Sequence, residues 1–156
     1  NVDHDNDKAL ANRSVERLRL FFNDESQNVR ERVARVFWNM SGERLLELET
    51  FLMEFIESPS FETDPECLLH ALNESSVRLP NVICRAAERV LEFIGIEGSQ
   101  VASGASMAAH SISTLVIRQY AQSTDNDLRR RCLNLIDRME RIGYFGIADE
   151  MKKLDR

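Results

Sequence analysis

Helix-breaking residues are scarce in this chain. Its 156 residues include three prolines and six glycines, and these stand at the edges of apolar stretches, not inside them. Long uninterrupted segments remain, which favours helices over short strands. No stretch approaches the ~18 apolar residues of a membrane-crossing helix, so no membrane span is expected. His4, His70 and His110 have no helical partner at ligand spacing, so no zinc site is expected. Asp3, Asp5 and Asp7 alternate as at the start of a calcium loop. That loop needs glycine where Lys8 stands and glutamate where Ser14 stands, so these residues read as the solvated start of a helix. The run Gly95-Ile96-Glu97-Gly98 lacks the lysine and the strand of a phosphate-binding loop, and no nucleophile elbow is present. No cofactor, metal or catalytic group is therefore expected. Cys67, Cys84 and Cys132 are odd in number, widely spaced and set among apolar positions. That pattern fits reduced, buried thiols in a cytoplasmic protein.

Positive charge is also in deficit. The net charge is −6, whereas binding duplex nucleic acid through its phosphates needs a clustered basic surface. Apolar residues at 43% and charged residues at 29% are ordinary for a globular protein. Residues 1–156 suffice for one domain with a real core. The opening Asn1-Val2-Asp3 has no initiator methionine and no basic or apolar leader pattern, and we expect a piece of a longer protein.

Apolar residues recur at helical spacing along most of the chain. Leu10, Val15, Leu18 and Phe22 predict a helix from about Lys8 to Phe22. Val29, Val33, Val36, Phe37 and Met40 share one arc of a helix over about 28–40. Ser41 caps a third, about Gly42 to Glu57, that ends at Ser58-Pro59-Ser60. Thr63 or Asp64 caps a shorter helix with Pro65 in its first turn, ending near Ser75. Pro80 opens a helix through Ile94 that Gly95 closes, and residues 95–104 form the glycine- and serine-rich loop. An Ala- and Ser-rich helix follows over 105–122, then one from Asp125 or Asn126 to Gly143, and a last short one over 145–154.

Three of these segments share a register. Val29, Val82 and Leu128 each open one, Arg32, Arg85 or Arg131 stands three positions on, and Val33, Ala86 or Cys132 follows. Phe37, Val90 and Ile136 occupy the eighth step. Polar turns, Asn23-Asp24-Glu25-Ser26 and Ser123-Thr124-Asp125-Asn126-Asp127, precede the first and third segments, whereas Arg78-Leu79-Pro80 precedes the second. The spacing is close to the about 40–47 residues of HEAT and armadillo repeats, although the first interval is longer. Asp24 followed by Val29-Arg30, with Leu128-Arg129 in the third unit, resembles the start of a HEAT second helix; Ile83 replaces that arginine in the middle unit. The resemblance implies an all-α, HEAT-like α-solenoid of about three units and seven or eight helices; the alternative is a compact helical bundle, since amphipathic helices can be slid into a common register. The stretch Phe51 to Ile94, with Glu57-Ser58-Pro59-Ser60-Phe61, Leu68-Leu69-His70-Ala71-Leu72 and Arg78-Leu79-Pro80, also resembles helical C-terminal regions of large bacterial nucleotide-hydrolysing proteins.

Two sets of side chains stand out as binding candidates. Trp38 falls on the side of its helix away from the apolar arc, where it either meets a partner or packs on the adjacent repeat. Arg32, Arg85 and Arg131 align from unit to unit and fit a structural ladder with carboxylates of neighbouring turns. The alternative adds Arg30, Arg35, Arg129 and Arg130 to make a recognition strip. The function expected is a non-catalytic scaffold that binds a protein partner or other domains of the parent chain. The alternative is a helical repeat that holds nucleic acid on the arginine strip.

Overall fold

Helical periodicity becomes helix along nearly the whole chain. The computed structural model describes residues 2–94, 103–143 and 146–154, and these form ten α-helices, one 3₁₀ turn and no strand. In order they are α1 (Val2–Leu18), the 3₁₀ turn (Arg19–Phe21), α2 (Gln27–Arg35), α3 (Gly42–Glu47), α4 (Glu49–Ile56) and α5 (Pro59–Thr63). Then come α6 (Glu66–Ser75), α7 (Pro80–Ile94), α8 (Ser103–Gln122), α9 (Asn126–Ile142) and α10 (Ile147–Leu154). The fold is all-α.

More helices form than the seven or eight expected. The helix foreseen over 42–57 splits at Leu48, whose φ of −107° and ψ of 20° leave the helical region. Pro59 starts α5 where a stop was expected, since a proline suits a first helical turn, where its missing N–H costs no bond. Pro65 in turn stands at the N-cap of α6, one position before the helix. The helix expected to reach Met40 ends at Arg35. Val36, Phe37 and Trp38 each bond three residues back instead, all at 3.2 Å, and Val36 is exposed in consequence. α1 begins six residues earlier than Lys8. Leu10, placed on its apolar stripe, is 64% exposed, while Val15 and Phe22 are buried. The Gly95 cap, most of the 95–104 loop and Phe145 lie outside the described residues.

Three caps stand as expected. Ser41 Oγ accepts from the Arg44 amide, Asp125 Oδ1 accepts from the amides of Asp127 and Leu128, and Gly143 ends α9 with φ of 80°. Another glycine is held by a close approach. A Cβ on Gly42 would lie 2.6 Å from Val77 Cγ1, because the start of α3 abuts the α6–α7 turn.

Two runs of neighbours build the core. α4 packs on α7 and α7 on α9; α6 packs on α8 and α8 on α10. α8 also meets α7 and α9, and its Ala108, Ala109, Ile112 and Val116 are fully buried, so small side chains let it sit closely among its neighbours. α2 rests on α5 and α6. At that end phenylalanines fill the interior: Phe37 lies 4.4 Å from Phe55 between ring centroids, Phe22 5.1 Å from Phe51, and Phe55 5.9 Å from Phe61. Phe37, Phe55 and Phe61 are fully buried, each worth about 1.5–3 kcal/mol of apolar transfer.

Candidate functional site

The arginines singled out by the sequence divide by what their guanidinium groups touch. Arg30 Nη1 donates to the carbonyls of Asp24 (2.7 Å) and Glu25 (3.0 Å), and its Nε donates to Thr63 Oγ1 at 3.0 Å. Arg129 Nη1 donates to the carbonyls of Tyr120 (3.0 Å) and Ser123 (3.1 Å), and its guanidinium lies over the Tyr120 ring at 4.2 Å. Both therefore hold the turn in front of their own helix. Arg35 and Arg130 stay exposed, Arg130 with Asp127 at 3.6 Å. Of these four arginines, two spend donors on backbone carbonyls and two are exposed.

Arg85 and Arg131 meet through Glu88. Arg85 Nη1 lies 3.2 Å from Glu88 Oε2, and Arg131 Nη2 2.9 Å from Glu88 Oε1, linking α7 to α9. Arg85 also pairs with Glu57 and Glu92, while Arg89 pairs with Glu62 and Glu92 and donates to the Ile56 carbonyl at 3.1 Å. Hydrogen bonds from Arg85 hold the Glu57 carboxyl below its ordinary value, and those from Arg89, with the Arg85 charge, do the same for Glu92. Arg32 is exposed and joins no ion pair among the described residues.

Trp38 projects from the turn after α2 onto α6. Its indole stacks on the His70 imidazole, 4.2 Å between centroids and 10° between planes. The residue remains 42% exposed, with exposed Arg35 and Val36 just before it in the chain. One face of the ring is covered by the adjacent helix, and the side chain still reaches solvent. One turn before His70, at the start of α6, Glu66 accepts from Ser111 Oγ of α8 at 2.8 and 3.1 Å, and burial pushes its carboxyl above the ordinary value. His70 looks like a lone histidine in the sequence, because the turn that carries Trp38 onto it leaves no periodic signal.

A cleft of about 200 Å³ opens where the α6–α7 turn meets the α8–α9 turn. Leu72, Ile83, Leu115 and Leu128 give it an apolar lining, and Arg78, Arg118, Gln122 and Asp125 stand among its polar residues. Gln119 also lines it, and its Nε2 lies 3.2 Å from Cys84 Sγ and 3.4 Å from Cys132 Sγ. The two sulfurs are fully buried and interact. Cys132, which accepts from Cys84 and Gln119, is the more easily deprotonated, and the Cys84 thiol is pushed up. All three cysteines are free and buried, and burial pushes Cys67 up to about 12. The only sequence signal for the cleft is the middle turn, where Arg78-Leu79-Pro80 departs from the polar turns of the other units.

No protein-family description, curated protein or solved structure matches the chain. Among the described residues no group of three or more metal-ligating side chains comes together, and no helix is long and apolar enough to cross a membrane.

Proposed function

We propose that this chain is a non-catalytic protein-interaction module, a HEAT-like stack of three helical units that meets its partner at Trp38. The observation that carries the reading is the Trp38–His70 stack. A tryptophan backed by a second ring is held rigid, loses little entropy on binding, and offers a large amphipathic surface to a partner. The register shared by Arg30 and Arg129, each tying down the turn before its helix, supports the repeat reading. Buried hydroxyls serve the scaffold as well: Ser58, Ser60 and Ser113 donate to the carbonyls of Phe55, Phe22 and His110. Nucleic-acid binding is the weaker reading, because Arg30 and Arg129 are engaged, Arg85 and Arg131 are paired with Glu88, and Arg32, Arg35 and Arg130 are left to carry it in a chain of net charge −6.

Affinity capture from a bacterial lysate, with and without nuclease, tests the choice. A discrete protein that is retained after nuclease treatment supports the interaction module. Enrichment that disappears with nuclease, and falls steeply with salt, transfers the function to the arginines.

A further inference from the structure

The cleft between the α6–α7 and α8–α9 turns has the chemistry of a binding site separate from the Trp38 surface. Its apolar residues come from four different helices: Leu72 of α6, Ile83 of α7, Leu115 of α8 and Leu128 of α9. At about 200 Å³ it has room for one large side chain and not for a nucleotide-sized cofactor; an apolar cavity of about 150 Å³ holds a benzene ring.

The charge around it is the opposite of the chain's excess. Arg19, Arg44, Arg85, Arg89 and Arg131 are each matched to a glutamate. Among the described residues Arg78 and Arg118 have no such pair. Arg118 is positioned by donating Nη1 to the Asn73 carbonyl at 3.2 Å, which leaves most of its donors unspent. Asp125, the one acid of the lining, accepts from the amides of Asp127 and Leu128 at Oδ1. An apolar hole beside two guanidinium groups and one carboxylate, a net positive lining, suits an apolar group that carries a carboxylate.

We propose that the cleft binds the C-terminal residue of a partner peptide, with a large apolar side chain among Leu72, Ile83 and Leu115 and the terminal carboxylate on Arg78 and Arg118. At a chain terminus the carboxylate and the side chain leave the same carbon, which brings charge and apolar body as close together as this lining requires. An internal acidic residue separates its charge from the next apolar side chain by a stretch of backbone. The cleft also opens to solvent at two turns, so the preceding peptide has a way out past Gln122 and Thr124. This inference takes from the proposed function only that the partner is a protein; it does not involve Trp38.

Fluorescence anisotropy of the full chain tests it, using a short labelled glycine–serine peptide that ends in phenylalanine with a free carboxylate. Saturable binding is expected, weakened about tenfold both by amidating the peptide terminus and by Arg78→Ala. Arg78 is exposed and its removal leaves the fold intact, which circular dichroism verifies. Trp38→Ala is expected to bind the peptide as the wild type does. Absence of binding, equal affinity for the amidated peptide, or full affinity in Arg78→Ala overturns the proposal. So does 3-phenylpropionate competing as well as the peptide, which assigns the cleft to a free small acid. None of these results bears on partner capture through Trp38, so the two readings fail separately.

Discussion

Arg30 and Arg129 make parallel contacts: each directs Nη1 into two backbone carbonyls that precede its helix, Asp24 and Glu25 of the turn before α2 in one case, Tyr120 in the last turn of α8 and Ser123 just after it in the other. Arg129→Ala strips both bonds and the contact with the Tyr120 ring. A loss of about 1.5–3 kcal/mol in urea unfolding is expected, because the carbonyls lose a charged donor. Arg129→Lys recovers only part of it, since an ammonium cannot match the planar fork. An unchanged midpoint in Arg129→Ala leaves this arginine free for recognition and contradicts the structural role.

Glu88 joins α7 to α9 by facing both Arg85 and Arg131. Glu88→Gln is expected to cost about 0.5–1 kcal/mol, as partly exposed pairs do, with the difference shrinking in high salt.

Acid weakens the same cluster. Glu57 and Glu92 are held below their ordinary value of 4.5 by Arg85 and Arg89. A depressed folded value means their contribution is complete above the unfolded value and is lost as pH falls below about 4.5 towards the folded one. A thermal melt series from pH 6 to 3 is expected to show Tm falling in that window, and less steeply in Arg85→Ala.

Glu66 has the opposite sign. Burial raises its carboxyl, so the folded state prefers the proton and loses stability as pH climbs from the unfolded value through the folded one. Glu66→Gln keeps a hydrogen-bond acceptor for Ser111 without the charge, and is expected to raise Tm at pH 7 but not at pH 4. A lower Tm at pH 7 contradicts this.

Close approach dominates at Gly42. A methyl group there meets Val77 Cγ1 at 2.6 Å and Ser75 Cβ at 3.1 Å. Gly42→Ala is expected to destabilise by about 1–3 kcal/mol despite its better helix propensity, and Gly42→Ala with Val77→Ala to recover much of that loss.

The strongly periodic helices were legible in the sequence. α7 and α9 carry regular apolar spacing and end markers at Pro80, Asp125 and Gly143 that the structure uses. The region from Phe37 to Asp64 was less so. There packing decides: Phe37 and Phe55 must turn inward together, and the chain breaks at Leu48 and after Arg35 to let them. Tertiary demand overrides a pattern that a continuous helix also satisfies. Of the candidate surface, Trp38 was visible as an aromatic off the apolar arc, but its partner His70 was not. The cleft is assembled from two turns whose residues carry no shared motif.

The most direct test of the account is Trp38→Ala, measured for partner capture and for thermal stability together. Loss of the stack on His70 is expected to cost about 0.5–1.5 kcal/mol, a Tm shift of a few degrees, while retention of the captured protein falls more than tenfold. Undiminished capture, or a Tm lowered by about 10 °C or more, makes Trp38 a packing residue and contradicts its role as the partner contact.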